Sequence, residues 1–516
     1  MHEKTNRSLV TVCLLAGIFL SAMEASIVAT AMPTIVGKLG GFAQFTWVFS
    51  MFLLTQAVTT PIFGKLADLY GRKPIFALGA SLFVVGSALC GFADTMGQLI
   101  VFRAIQGLGA GSVLPIAMVI VGDLYPGQER AKVQGLLSSM WAIAAVIGPG
   151  LGGVIVQTIG WPWIFWINVP FGVITITGVS IFLHEKIEHR KHEIDYKGAA
   201  ALSIAITALL FALLQAGAKW AWTSPQLIGT FILSAVFFAA FARIEEKSKE
   251  PMVPLSIMKR PMILVANICA LITGGLTIGA SSFLPTYAQG VLGLTAIIAG
   301  ATIVTLSIGW PIASTLSGRL IWRFGYRKIE IAGMVLCILA GILYLGVGTS
   351  SHPIYMAAYM ALCSFVMGAG LGLASTTQIV AVQSSVHWRQ RGSATSSIMF
   401  ARIVGSTLFV ALLGTIVNNS LARTLSGTAL NKLYNVRDSV SVTNLLLDPA
   451  RRVFISSEHL KILTDALAHS IHLTFWVILI AAALGFFVAL RMPGGVPDKH
   501  GKLVTPPKHE ASAENA

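Results

Sequence analysis

The sequence predicts an all-α polytopic membrane protein of 14 transmembrane helices, built as two six-helix bundles in a pseudo-twofold arrangement with a helix pair inserted between them. Three observations predict it: 55% of the 516 residues are hydrophobic and 11% charged, apolar windows of membrane-crossing length recur along the chain, and the two halves repeat one another. A helix needs about 20 apolar residues to cross roughly 30 Å of hydrocarbon.

In order, the first six windows lie near 9–30, 45–63, 74–92, 98–121, 134–157 and 163–183, two more near 199–217 and 225–242, and the last six near 262–285, 295–317, 327–348, 353–376, 393–417 and 470–490. The first starts close to Met1, lacks an A-x-A cleavage site and holds Glu24 in its interior, so it reads as a retained span and not as a signal peptide. Cys13, Cys90, Cys269, Cys337 and Cys363 all fall inside spans at unrelated spacings, which suits small packing residues better than disulfides or metal ligands.

The net charge of +15 is not spread evenly. Most of the Lys and Arg residues sit in the termini and in every second loop, while the opposite short loops hold only Lys38 and Lys219. This positive-inside asymmetry places both termini in the cytoplasm and accounts for the basicity without a nucleic-acid partner.

Membrane carriers are often built from duplicated bundles with the substrate at their interface. "GKLADLYGRK" after span 2 aligns with "GRLIWRFGYRK" after span 10, pairing Gly64 with Gly318 and Gly71 with Gly325 at an offset of 254. "MPT" at 32–34 matches "LPT" at 284–286 at an offset of 252, and the glycines at 107, 109 and 111 match those at 368, 370 and 372, as Arg130 matches Arg391, at 261. Spans 1 to 6 thus correspond to spans 9 to 14. The chain divides into an N-terminal bundle (1–184), the inserted pair with cytoplasmic flanks (185–261), a C-terminal bundle (262–491) containing an extracytoplasmic segment (418–469), and a cytoplasmic tail (492–516). His184-Glu185-x-x-Glu188-His189 misses the H-E-x-x-H spacing, so the first flank reads as a solvated linker; no metal or cofactor is expected.

An ionisable group inside a span is expensive and marks function by default. Glu24 lies about six residues before the outer end of span 1 and Arg103 about five inside the outer end of the oppositely directed span 4, so the two share a depth. A mobile Arg103 would switch Glu24 between protonated and ionised states, a proton-coupling device; the alternative is a permanent salt bridge that orders the bundle. Arg402 in span 13 has no acid placed so obviously and, with Gln106, Trp47 and Trp141, is a candidate for a central cavity. In the loop after span 2, Gly64 and Gly71 frame Asp68 and Arg72, and Asp123 ends span 4 on the same side. An Arg72–Asp123 pair is predicted, with Asp68 facing the positive N-terminal end of span 13 near Gly392, as a latch closing the cytoplasmic side. Asp68 becomes Trp322 in the second repeat, so the latch is asymmetric. In "VIGPGLGGVI", Gly148 and Gly152 fall on one helical face with Ala144, suited to close helix contact, while Pro149 bends the segment and Gly153 follows; plain helix packing is the competing reading.

Together these stretches resemble the major facilitator superfamily, in particular its 14-span drug:proton antiporter branch. "GKLADLYGRK" resembles the superfamily's loop motif, "RAIQGLGAG" its span 4 motif, "GPGLGG" its antiporter motif, and "WPWIFWINVPFG" and "MEASIVATAMP" stretches typical of the branch, whose first-span acid is usually Asp and here is Glu24. Ala144 stands where the antiporter motif usually opens with Gly. The resemblance implies alternating access, with protons moving inward on Glu24 and Arg103 as a lipophilic, often cationic compound moves outward, in a monomer in a bacterial plasma membrane. A dedicated exporter of one solute or lipid, or a non-transporting sensor, fits the same fold. An ATP-driven pump does not, because the chain has no G-x-x-x-x-G-K-[ST] loop, and no enzymatic activity is expected.

Overall fold

The structure, a computed structural model, describes residues 5–40, 44–125, 127–185, 195–216, 220–248, 250–253, 255–348, 352–426, 446, 455–497 and 503–504. Lys219, Glu188, His189 and most of 418–469 lie outside the described residues, as does the side chain of Pro149.

Among the described residues, fourteen helices are long and apolar enough to cross a membrane. They are α1 (Arg7–Leu39), α2 (Phe45–Tyr70), α3 (Arg72–Gly91), α4 (Met96–Leu124), α5 (Gly127–Thr158) and α6 (Asn168–Phe182, preceded by the single turn Trp163–Trp166). The inserted pair is α7 (Tyr196–Gln215) and α8 (Pro225–Lys247). The second set is α9 (Pro261–Gly290), α10 (Ala296–Phe324), α11 (Tyr326–Leu345), α12 (Pro353–Ser385), α13 (Arg391–Ser426) and α14 (Ser457–Ala489). The last two reach well into the stretch expected to be loop. Their extensions are amphipathic and so escape a hydropathy window, and Ser456 caps α14 by accepting from the His459 N–H. A short antiparallel pairing of Val496–Pro497 with Leu503–Val504 follows.

The repeat recurs in the packing. Gly107 and Gly111 let α4 approach α2 at Phe52 and Gln56; at the matching offsets, Gly368 and Gly372 let α12 approach α10 at Leu306 and Trp310. Gly109 meets Gly79 of α3, and Gly370 meets Gly333 of α11. Small residues give such contacts their energy in lipid, where backbone proximity and van der Waals packing replace the hydrophobic effect. The turns after α2 and α10 repeat as well: Gly71 (φ 95°) and Gly325 (φ 83°) adopt the left-handed backbone that glycine tolerates without strain.

The two bundles meet along two seams, α2 with α13 and α5 with α10. Contacts that join them cluster at the end holding the α2–α3 turn, called here the basic end. There Gly64 of α2 touches Gly392 and Ser396 of α13, while Gly318 of α10 touches Ala131 and Gly135 of α5 touches Thr315. Of the inserted pair, α7 packs on α2 and α13, where Leu54, Ala57 and Val58 share an apolar cluster with Leu202, Ile206, Leu210, Phe400 and Val404, and α8 packs on α7. At the far end Trp222 donates to the Thr415 hydroxyl across 2.8 Å. In α8, 17% of the apolar window is buried inside the protein, against 78% in α4, so α8 is peripheral and α4 central.

Candidate functional site

Two polar constellations stand out, one inside the N-terminal bundle and one between the bundles. In the first, α1 and α4 run antiparallel and bring Glu24 against Arg103, both almost fully buried. The Arg103 Nη1 donates to Glu24 Oε1, and the Asn168 amide of α6 donates to Glu24 Oε2. Asn168 also donates to the Ser87 hydroxyl of α3 (2.9 Å), which itself donates to the Phe165 carbonyl (2.8 Å). Arg103 further donates to Gln106 Oε1 (2.7 Å) and to the Val48 carbonyl (3.3 Å), and lies 4.2 Å from the Phe52 ring centroid. A buried ion pair survives only if its remaining hydrogen-bonding capacity is met, and five helices meet it here. The guanidinium's planar fork suits this task.

The second constellation closes the basic end. Asp68 accepts from the backbone N–H groups of Gly392 (2.8 Å) and Ser393 (2.7 Å) and from the Ser393 hydroxyl (2.8 Å). A carboxylate of one bundle thus caps the first turn of a helix in the other, satisfying orphan donors and complementing the helix dipole. Arg72 pairs with Asp68 (3.2 Å) and with Asp123 (3.1 Å) and lies against the Trp388 ring, while Asp123 also receives Arg391 (2.6 Å). Glu185, the last described residue before the linker, accepts from the N–H groups of Arg72 (2.8 Å) and Lys73 (3.1 Å) and so caps α3. Gln383 of α12 donates to the Met118 carbonyl (3.2 Å), and Arg130 donates to the Ser384 hydroxyl (3.4 Å), adding two crossings.

The structure thus brings together Glu24 with Arg103, and Asp68, Arg72 and Asp123 with α13. It places the "GPGLGG" face against α1: Gly148 meets Ser26, Gly152 lies in van der Waals contact with Ile27, and the Ser26 hydroxyl donates to the Ala144 carbonyl (3.3 Å). Gly153 faces open space and is outside that contact.

The four residues expected at a central cavity have different surroundings among the described residues. Gln106 is fully buried within the Glu24 network, because its amide completes the coordination of Arg103. Trp47 stacks on Phe211 of α7 at 5.8 Å, since the inserted pair covers that face of α2. Trp141 is exposed on α5. Arg402 points into the C-terminal bundle, where Gln378 separates it from Glu330. Sequence reasoning missed Asn168, Ser87, Glu185 and Glu330. Asn168 carried a signal, an amide in an otherwise apolar stretch, whereas Glu330 sat at a window edge and looked like a loop residue.

The sequence profile of the Major Facilitator Superfamily matches residues 14–410. Multidrug resistance protein 3 of Bacillus subtilis (strain 168) is 35% identical over 95% of this chain and 96% of its own. Multidrug transporter protein MdtP of the same organism is 34% identical over 81% of this chain and 76% of its own. Among solved structures, the human organic anion transporter MFSD10 superposes with a TM-score of 0.61 at 14% identity, covering 94% of this chain and all of that one, a likeness of fold.

Proposed function

The chain belongs to the major facilitator superfamily, and from that premise we propose that it is a proton-coupled antiporter exporting lipophilic, often cationic compounds from a bacterial cell. It is a membrane transporter and not an enzyme. The multidrug names of its two bacterial relatives support the substrate class, and the basic flanks support an orientation with both termini and the Asp68 latch in the cytoplasm. In that orientation the structure is closed toward the cytoplasm.

The observation that carries the reading is the buried Glu24–Arg103–Asn168 network. A proton from the outer side bonds to the Glu24 carboxylate and abolishes its charge, which removes the reason for Arg103 to stay. The guanidinium keeps its bonds to Gln106 and the Val48 carbonyl while letting go of Glu24, and the packing of α4 against α1 relaxes. The strain reaches the latch along α4, whose last residues Gly122 and Asp123 hold Arg391. When the cytoplasmic side opens, the proton leaves to water and the compound enters. The alternation is a two-state rocking of packed bundles, as their seams allow. The face formed by Ala144, Gly148 and Gly152 keeps α5 sealed to α1 through this motion and limits leak.

The test is uptake of ethidium by inside-out vesicles under an imposed pH gradient. The wild-type protein accumulates the dye and loses it when an ionophore collapses the gradient, whereas Glu24→Gln, which keeps the shape and one acceptor oxygen but holds no exchangeable proton, accumulates none. Wild-type accumulation by Glu24→Gln would overturn the proton role.

A further inference from the structure

The C-terminal bundle holds a second buried acid. Glu330, on the second turn of α11, is fully inaccessible to solvent. One of its oxygens accepts from the Gln378 amide of α12 at 2.9 Å, and the Gln378 carbonyl oxygen faces Arg402 Nη2 of α13 at 3.5 Å. The Cys269 thiol of α9 also lies in hydrogen-bonding contact with the Glu330 carboxyl, and Arg402 Nε has no hydrogen-bond partner among the described residues. The other titratable neighbours are the thiols of Cys269 on α9 and Cys337 on α11 itself; α12 and the C-terminal half of α14 contain no charged residue.

This arrangement differs from the Glu24 site in one respect that matters. Glu24 touches its arginine, whereas a neutral amide stands between Glu330 and Arg402. Burying an unpaired charge is far more costly than burying the neutral acid. The geometry therefore serves two states: an acid held by Gln378 with the arginine turned away, and a carboxylate taken directly by Arg402. Both partners ride on helices that end at the latch. Five residues after Gln378, Gln383 reaches the Met118 carbonyl of the other bundle and the Thr395 hydroxyl (3.1 Å), and α13 opens with Arg391, Gly392 and Ser393.

We propose that Glu330, Gln378 and Arg402 form a second proton-exchange site, in the C-terminal bundle, so that two protons cross for each compound exported. The inference rests on the antiporter reading above. On loading, a proton from water bonds to the Glu330 carboxylate, giving the neutral acid, and Arg402 retains its charge against the Gln378 oxygen. On release the O–H bond breaks, the proton returns to water on the cytoplasmic side, and the guanidinium replaces the amide as partner of the carboxylate. Because Gln378 and Arg402 move in the exchange, the ends of α12 and α13 at the latch feel it.

Stoichiometry decides the matter. Two protons exchanged for one ethidium move one net charge, so transport responds to membrane potential; a single proton exchanged for the same cation moves none. In inside-out vesicles without a pH gradient, a lumen-positive potassium diffusion potential of 100 mV drives wild-type ethidium accumulation up to about 50-fold. Glu330→Gln, which keeps the hydrogen bond to Gln378, still accumulates dye at a reduced rate under a pH gradient but shows no response to the potential. If Glu330→Gln fails to fold, Arg402→Gln gives the same readout, since Glu330 then keeps its proton throughout. A variant that retains the wild-type potential response, or a wild-type protein driven by the pH gradient alone, overturns the second site and leaves the Glu24 role intact. A wild-type protein indifferent to both gradients overturns the antiporter reading itself, and the site with it.

Discussion

At the scale of single residues, the informative group is Asn168, the neutral donor that completes the coordination of Glu24. Removing it leaves a buried carboxylate oxygen and the Ser87 hydroxyl each short of a partner. A lost hydrogen bond to a buried charged group costs roughly 1.5–3 kcal/mol, so Asn168→Ala is expected to lower the thermal midpoint by several degrees, as monitored by labelling of the four buried free cysteines, and to slow ethidium uptake. Arg103→Lys is expected not to rescue transport, because an ammonium cannot reach Glu24, Gln106 and the Val48 carbonyl while also lying over Phe52. Glu24 and Arg103 were legible because a charge in an apolar run has no cheap explanation. Asn168 and Glu330 were not: an amide costs little enough to pass for packing, and whether an acid four residues into a helix is buried depends on tertiary cover that no window reports. The Gln378 partner of Arg402 was not legible for the same reason.

At the scale of elements, the glycines of α5 divide by what a side chain would meet. A Cβ on Gly148 runs into Ser26, while at Gly150 and Gly153 nothing lies within contact distance. Gly148→Leu is therefore expected to push α5 from α1 and abolish uptake with the protein still inserted, whereas Gly153→Ala is expected to be neutral or to stabilise by up to about 1 kcal/mol through helix propensity; uptake and thermal melts on both variants check this. The contact face was readable from the four-residue spacing of Ala144, Gly148 and Gly152. Gly153 entered by motif resemblance alone, and it lies about 100° round the helix from Gly152. The same logic explains the fold: windows of uniform apolarity found every span but fell short of helix ends such as those of α1, α12, α13 and α14, where the helix outlasts its hydrophobic stretch.

For the whole molecule, the pseudo-twofold axis maps each seam onto the other and exposes where they differ. Arg391–Asp123 corresponds to Arg130–Ser384, and Gly64–Gly392 to Gly318–Ala131, so one seam carries the ionic contacts and its mate a neutral copy. Trp322, standing where Asp68 would, completes the asymmetry. Asp68→Asn loses the charge that caps α13, a change of roughly 1.5–3 kcal/mol, and should shift the balance toward an open cytoplasmic side about 10- to 100-fold. Distance distributions between spin labels at the exposed positions Lys132 and Arg319 would then gain a longer component; an unchanged distribution would refute the latch. The inserted pair adds a second asymmetry. Because α7 packs on both α2 and α13, the inserted pair covers that seam, and it does not pack on the seam of α5 with α10. The two seams therefore present different faces to the surrounding lipid: one is overlain by a further layer of helices, and the other meets the bilayer directly.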